Sequence, residues 1–157
     1  MSNGGDESGS NGLRGSYGYH ARSTHRAFDR LLERHLRKHG IKNGYWYFLR
    51  ALWEREGLTQ RELSNEINLM ESSTVVMLKE MESAGLVRKQ RCDQDRRKLK
   101  VYLTPQAKRL KKHLLPYAQK INQLAAANIS KGDLATFLKV AEQMKCNLLA
   151  ADKAGEH

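Results

Sequence analysis

Apolar side chains recur every three or four positions through most of this chain, and in one short window the period drops to two. Phe28, Leu31, Leu32 and Leu36 share one side of a segment opening near Tyr19, with Arg26, Arg30, Arg34 and Arg37 mostly elsewhere. That spacing predicts an amphipathic helix, closed by His39-Gly40. Asn43 is placed to cap a second helix, in which Trp46, Leu49, Leu52 and Trp53 recur on one side as far as Glu56-Gly57. Thr59-Gln60-Arg61-Glu62 has the pattern of a capping box, in which the hydroxyl accepts from the Glu62 amide and the carboxylate reaches back to the Thr59 amide. A third helix therefore starts at about Thr59, uses Leu63 and Ile67 on its apolar side, and stops at Asn68, a residue tolerant of positive φ. A fourth fits Ser72 to Ala84, with Val75, Leu78 and Met81 at helical spacing and Gly85 just past its end.

The period then changes. Leu86 to Gln90 and Leu99 to Leu103 are short and strand-like, and Leu99, Val101 and Leu103 alternate with Lys100 and Tyr102, as a half-buried ribbon requires. Between them, Arg91 to Lys98 is too polar to bury and rich in turn formers. Thr104-Pro105 opens a long helix, because proline at the first helical position lacks only an amide that would be unpaired there. Ala107, Leu110, Leu114, Tyr117, Ile121, Leu124 and Asn128 step through it by threes and fours, a coiled-coil-like seam that Pro116 bends by removing one hydrogen bond to Lys112. Ser130-Lys131-Gly132-Asp133 caps a last helix presenting Leu134, Phe137, Leu138, Ala141 and Leu148.

The expected fold is mainly α: a winged helix-turn-helix with a two-stranded β wing over residues 43–103, flanked by dimerisation helices at 17–42 and 104–152. Residues 1–16 are mostly Gly, Ser, Asn and acidic residues, with Leu13 as the one large apolar side chain after Met1, a composition that predicts a disordered tail. The flanking helices carry more apolar surface than one compact subunit needs, which predicts packing against a second copy of the chain.

Charge sharpens this picture. The formal net charge is +11 over 157 residues, and between Arg88 and Lys112 eleven Lys or Arg face only Asp93 and Asp95. Such a block is usually a solvated face; its position on a predicted wing points instead to a polyanion. Membrane binding is disfavoured, because the cations sit on a ribbon rather than along an amphipathic helix, and no apolar run approaches the ~20 residues needed to cross a bilayer. The absence of a signal-like N-terminus predicts a cytoplasmic location. Two cysteines, Cys92 and Cys146, without a CxxC pair argue against structural zinc or a disulfide framework, and no metal or other cofactor is expected. His35 and His39, four apart on a helix, can hold a metal only with a third ligand, so a solvated pair is the expectation. No glycine-rich phosphate loop and no nucleophile-and-base motif is present, and an enzyme is not expected.

A helix-turn-helix followed by a basic two-stranded wing suits double-stranded DNA, with the second helix in the major groove and the wing tip in the adjoining minor groove. Three motifs in order, Gly57-Leu58-Thr59-Gln60-Arg61-Glu62-Leu63-Ser64, Met81-Glu82-Ser83-Ala84-Gly85-Leu86-Val87, and Asp95-Arg96-Arg97 ahead of Leu103-Thr104, make the chain resemble the MarR family of bacterial transcription regulators from about Tyr19 to Leu149. The resemblance implies a homodimer, commonly a repressor released from DNA by a small molecule. It also implies that Arg97 enters the minor groove, that Asp95 orients its guanidinium and that Arg96 contacts backbone.

The residues suggest the rest of the contact set. Thr59 and Gln60 can meet phosphate at a helix start, although Thr59 can equally be a cap alone. Ser72 and Ser73 can touch phosphate or base edges, Lys79 lies on a turn that can face the groove, and Val76 can meet a thymine methyl or pack in the core. MarR-like sequences often place arginine where Val76 stands, and Ser or Thr with Pro where Met70-Glu71 stands, so the resemblance does not carry a base preference over to this chain. A two-fold dimer implies a pseudo-palindrome with half-sites about one helical turn apart.

An effector cleft of the MarR kind would draw on Tyr19, His20, Arg22, Ser23, Arg26, Trp46, Tyr47 and Arg50. Aromatic faces beside guanidinium groups suit an aromatic carboxylate or its coenzyme A thioester, whereas Trp46 and Tyr47 can also be plain core. The Tyr45-Trp46-Tyr47-Phe48-Leu49-Arg50 run looks like members controlling catabolism of aromatic acids. Two alternatives stand beside this reading: a nonspecific or architectural DNA-binding protein, and a redox-responsive regulator acting through Cys92.

Overall fold

The structure is a computed structural model and describes residues 12–155. Residues 1–11 of the stretch expected to be a tail lie outside that range. The remainder corrects the expectation: Leu13–Gly15 form a 3-10 turn, and Ser16 then caps the first helix by accepting from the Tyr19 amide at 3.2 Å. A ring nitrogen of His20 also bonds the Arg14 carbonyl at 2.7 Å, which ties the turn to the helix behind it.

In chain order the elements are α1 (Tyr17–Lys38), α2 (Trp46–Glu54), β1 (Leu58–Thr59), α3 (Gln60–Glu66), α4 (Glu71–Ser83), β2 (Val87–Arg91), β3 (Leu99–Leu103), α5 (Pro105–Ala125) and α6 (Lys131–Ala154). The chain divides into two compact units, one ending at Ile121 and the other beginning at Asn122. Among the described residues no helix is long and apolar enough to cross a membrane.

The helix boundaries follow from local chemistry. The capping box at Thr59 is complete, with the Glu62 amide donating to Thr59 Oγ1 at 3.2 Å and the Thr59 amide donating to Glu62 Oε2 at 2.7 Å. Asn68 takes φ +52 directly after α3, and Gly85 takes φ +70 at the end of α4, where a side chain bearing Cβ would be strained. Thr104 caps α5 through its hydroxyl, with Pro105 behind it, and α5 continues through Pro116. Asn43, by contrast, is no cap for α2. It opens a 3-10 turn, Asn43–Tyr45, that runs straight into α2, and its Oδ1 is buried without a protein hydrogen-bond partner.

The sheet has one strand more than expected. β3 lies in the middle, paired antiparallel with β2 in the register Val87↔Leu103 to Arg91↔Leu99 and with β1 through Leu58↔Val101 and Thr59↔Lys100. Two residues are too few to show a period of two, so β1 was invisible to the pattern. Gly57 at φ +74 sets up the pairing by donating its amide to the Val101 carbonyl at 2.9 Å.

One core serves the first unit. Leu36, Phe48, Leu49, Leu52, Leu63, Leu78, Met81, Leu86, Val101 and Leu114 are fully buried in it. Part of the α5 stripe expected to face a second subunit is committed here, since Ala107, Leu114 and Ile121 of that stripe, with Ala118 beside it, are buried within the chain. Trp53 Nε1 donates to the Ala107 carbonyl at 3.0 Å, and Lys111 Nζ donates to the Trp53 carbonyl at 3.1 Å, fastening α2 to α5. Glu56 accepts from the Leu103 amide at 2.8 Å and pairs with Lys108 at 2.9 Å, joining β3 to α5. Burial disfavours the Glu56 charge, yet these two donors outweigh it and hold the carboxyl below its ordinary pKa. In the second unit α6 buries no residue, and Phe137, Leu138, Leu148 and Leu149 are exposed.

Candidate nucleic-acid interface

The site begins with how α4 is held. Its inner side is Thr74, Leu78 and Met81, not the Val75, Leu78 and Met81 stripe expected from spacing; Val75 is 41% exposed. Thr74 can be buried because its hydroxyl donates to the Met70 carbonyl at 3.0 Å, which removes the penalty for enclosing a polar group. With 74, 78 and 81 inward, helical geometry turns Ser72, Val76, Lys79 and Ser83 outward, spaced four, three and four. All four are exposed, so Ser72, Ser73, Val76 and Lys79 are accessible as expected.

The rear of α4 is tied to the turn before α2. Glu80 Oε2 accepts from Lys42 Nζ at 3.0 Å and from the Tyr45 hydroxyl at 3.3 Å. The Lys42 contact holds the Glu80 carboxyl below its ordinary pKa and raises that of Lys42. Glu82 reaches Lys89 on β2 at 3.6 Å. The front of α4 has no such anchor, since Met70 at the N-cap supplies no side-chain hydrogen bond.

Residues 92–98 form the wing tip. Cys92 donates its amide to the Lys98 carbonyl at 2.9 Å, and Lys98 donates its own to the Asp95 carbonyl at 3.0 Å. Asp95 Oδ1 accepts the main-chain N–H of Arg97 at 3.1 Å. In this structure the Asp95 contact is to the main chain that carries Arg97 and not to its guanidinium. Arg91 Nη1 donates to the Arg96 carbonyl at 3.0 Å, so one arginine braces the turn, and Arg96, Arg97 and Lys98 stand in solvent. On the strand, Arg88 lies 4.8 Å from the centre of the Tyr102 ring.

Thr59 and Gln60 open α3, where Thr59 Oγ1 is engaged twice by Glu62, accepting its amide and donating to Oε2 at 2.9 Å. Its hydroxyl proton is thus already committed to the cap. Cys92 is half-buried, and amide hydrogen bonds from Asp95 and then Gln94 push its thiol pKa down.

The residues expected around an effector divide into two groups. Trp46 is buried in the core, edge-on to Trp53 with ring centres 5.9 Å apart, and the Arg50 guanidinium lies 5.6 Å from its ring centre. Tyr47 is half-exposed and faces His25 of α1 at 6.5 Å, with burial pushing its phenol pKa up. Tyr19 and His20 pack edge-to-face at 5.5 Å at the start of α1, while Arg22, Ser23 and Arg26 are exposed further along it. His25, which pairs with Asp29 at 3.2 Å, had no distinguishing signal in the sequence. Nor did His113, which stacks on His39 at 5.8 Å while Tyr117 stacks on His35 at 3.8 Å. Only the folded chain brings these rings, from α1 with its C-cap His39 and from α5, together. Among the described residues no group of three or more metal-ligating side chains is arranged to hold an ion.

A helix, a tight turn, a second helix with an outward polar and apolar face, and an antiparallel wing with a cationic tip define a winged helix-turn-helix. Residues 44–99, the reading head of this chain, match the MarR family model. Over 85 residues the chain is 32% identical to the HTH-type transcriptional regulator TtmR of Methylorubrum extorquens, a match spanning 54% of this chain and 44% of that relative. The chain thus aligns with less than half the length of this curated relative. A protein from Listeria monocytogenes solved in complex with 26mer DNA superposes with a TM-score of 0.81 at 15% identity, covering 90% of this chain and 97% of that one. The PcaV transcriptional regulator of Streptomyces coelicolor, solved with its natural ligand, gives a TM-score of 0.75 at 23% identity, covering 85% and 94%. At these identities the structural likenesses speak to the fold.

Proposed function

We propose that this protein is a homodimeric, ligand-responsive DNA-binding transcriptional regulator, acting as a repressor released from a pseudo-palindromic operator. The observation that carries it is the pairing of an outward face on α4 with an exposed Arg96-Arg97-Lys98 tip one β-ribbon away on the same head. That arrangement suits a helix in the major groove and cations in the minor groove beside it. The exposed apolar side chains of α6 supply the surface for a second copy.

The effector reading is an aromatic carboxylate or its coenzyme A thioester. Arg50 beside Trp46, and Tyr47 beside His25, support the aromatic acid. A groove of about 370 Å³ on α5, lined by Lys108, Arg109, Lys111 and Lys112 among others, offers cations for the thioester's phosphates.

Retardation of DNA from the region upstream of the gene tests the reading. A dimer neutralising about eight phosphates should show a slope near −7 in log K against log salt, and aromatic acids or their thioesters should release the complex. Preference for that DNA by ~10³ or more over bulk duplex separates a regulator from an architectural protein. Sedimentation at a single-subunit mass would sink the dimer.

A second reading, a thiol-based response, is favoured by the lowered pKa of Cys92 on the wing. Peroxide treatment should then weaken DNA binding by the native chain and leave Cys92→Ser unaffected.

A further inference from the structure

α4 exposes apolar side chains where its surroundings are ionic. Val76 stands at the centre of the outward face and is 60% exposed, Val75 beside it is 41% exposed, and Met70, immediately before the helix, is 74% exposed. Single exposed apolar residues need no explanation, but three within seven positions concentrate apolar side chains at the leading end of one helix. The polar complement of α4 makes the point sharper. It has one cation, Lys79, against Glu71, Glu80 and Glu82, and it carries no Arg, Asn or Gln.

The side chains that pair bidentately with guanine through a guanidinium, or with adenine through an amide, are therefore absent from this helix. What the major groove offers an apolar side chain is the thymine 5-methyl group. Charge complementarity comes from next door, since the exposed Arg96, Arg97 and Lys98 of the wing attract the duplex that α4 alone would not.

We propose that α4 selects its site through thymine methyl groups received by Val76, with Met70 and Val75 on its flanks. This deepens the DNA-binding reading and rests on it. Recognition then depends on excluding water from methyl groups, and the half-site carries thymine at the steps beneath the first two turns of α4.

The test starts by enriching duplexes bound by the purified full-length protein from a random pool. Each recurrent thymine is then replaced by deoxyuridine, which deletes the methyl and keeps every hydrogen-bonding group. The native protein should lose about fourfold in affinity per contacted methyl. Val76→Ala should bind thymine and deoxyuridine duplexes alike, whereas Arg97→Ala should weaken both and preserve their ratio. Equal affinity of the native protein for the two duplexes overturns the proposal, as does a native ratio in Val76→Ala. A pool with no enriched duplex removes the DNA-binding reading itself, whereas enrichment without sensitivity to deoxyuridine removes this inference alone.

Discussion

The fourth helix and the wing sit on one head and differ in almost every physical respect. The helix Glu71–Ser83 has one cation and three acids, a net −2, and an outward face with a valine at its centre. The ribbon from Val87 to Leu103 has seven Lys or Arg and two Asp, a net +5, and projects its free cations at the tip. Charge acts at a distance and without regard to base sequence, whereas an apolar contact is short-ranged and discriminates. On the proposed DNA-binding reading, the wing would supply affinity and the helix selection.

The largest effect that can break this comparison is at the wing. Arg97→Ala should lower operator affinity by about tenfold or more and reduce the salt slope by about two for a dimer, one phosphate-equivalent per tip. A slope that does not move would show that the cation is not neutralising backbone. Val76→Ala is the counterpart on the helix. It should reduce the preference for operator over bulk DNA by about tenfold while leaving the salt slope unchanged, read by competition binding across a salt series. A changed slope there would merge the two roles.

Smaller effects probe the mount that both regions share. Thr59→Ala removes the cap of α3 and should cost about 1 kcal/mol in urea unfolding. Its partner gives the pH dependence. The Thr59 amide, and then its hydroxyl, hold the Glu62 carboxyl below the ordinary range, so the folded pKa lies beneath the unfolded one. The stabilisation is present above the unfolded carboxylate value and is lost as pH falls through the depressed folded value. Melting of the native protein should therefore drop on acidification by slightly more than that of Glu62→Gln.

Most of the architecture was readable from side-chain spacing because the strong local signals agree with the global fold. The Thr59-Glu62 box, Asn68, Gly85 and Thr104-Pro105 mark boundaries that depend only on nearby residues, and the structure puts caps or positive φ at each. What escaped was non-local or too short. Spacing alone lets either Val75 or Thr74 join Leu78 and Met81 on the inner stripe, and the Thr74 hydroxyl bond to the Met70 carbonyl is what allows Thr74 to be the buried one. β1 needed its partner β3 to be seen at all. The seam on α5 has the right period but turns largely into its own core, since a three-four repeat specifies a packed face and not the chain that packs on it. At the wing, the sequence pointed to Arg96 and Arg97, whereas the bond from the Arg97 amide to Asp95 depends on turn geometry.

The unequal fastening of the fourth helix has a consequence of its own. Its heel is pinned through Glu80 to Lys42 and Tyr45, while at its toe the Met70 side chain makes no capping hydrogen bond to the first-turn amides. Amide protons at Glu71, Ser72 and Ser73 should then exchange with deuterium far sooner than those at Leu78 and Met81. On the proposed reading, docking on a groove would quench that gradient, and part of the cost of recognition would be the ordering of that uncapped first turn.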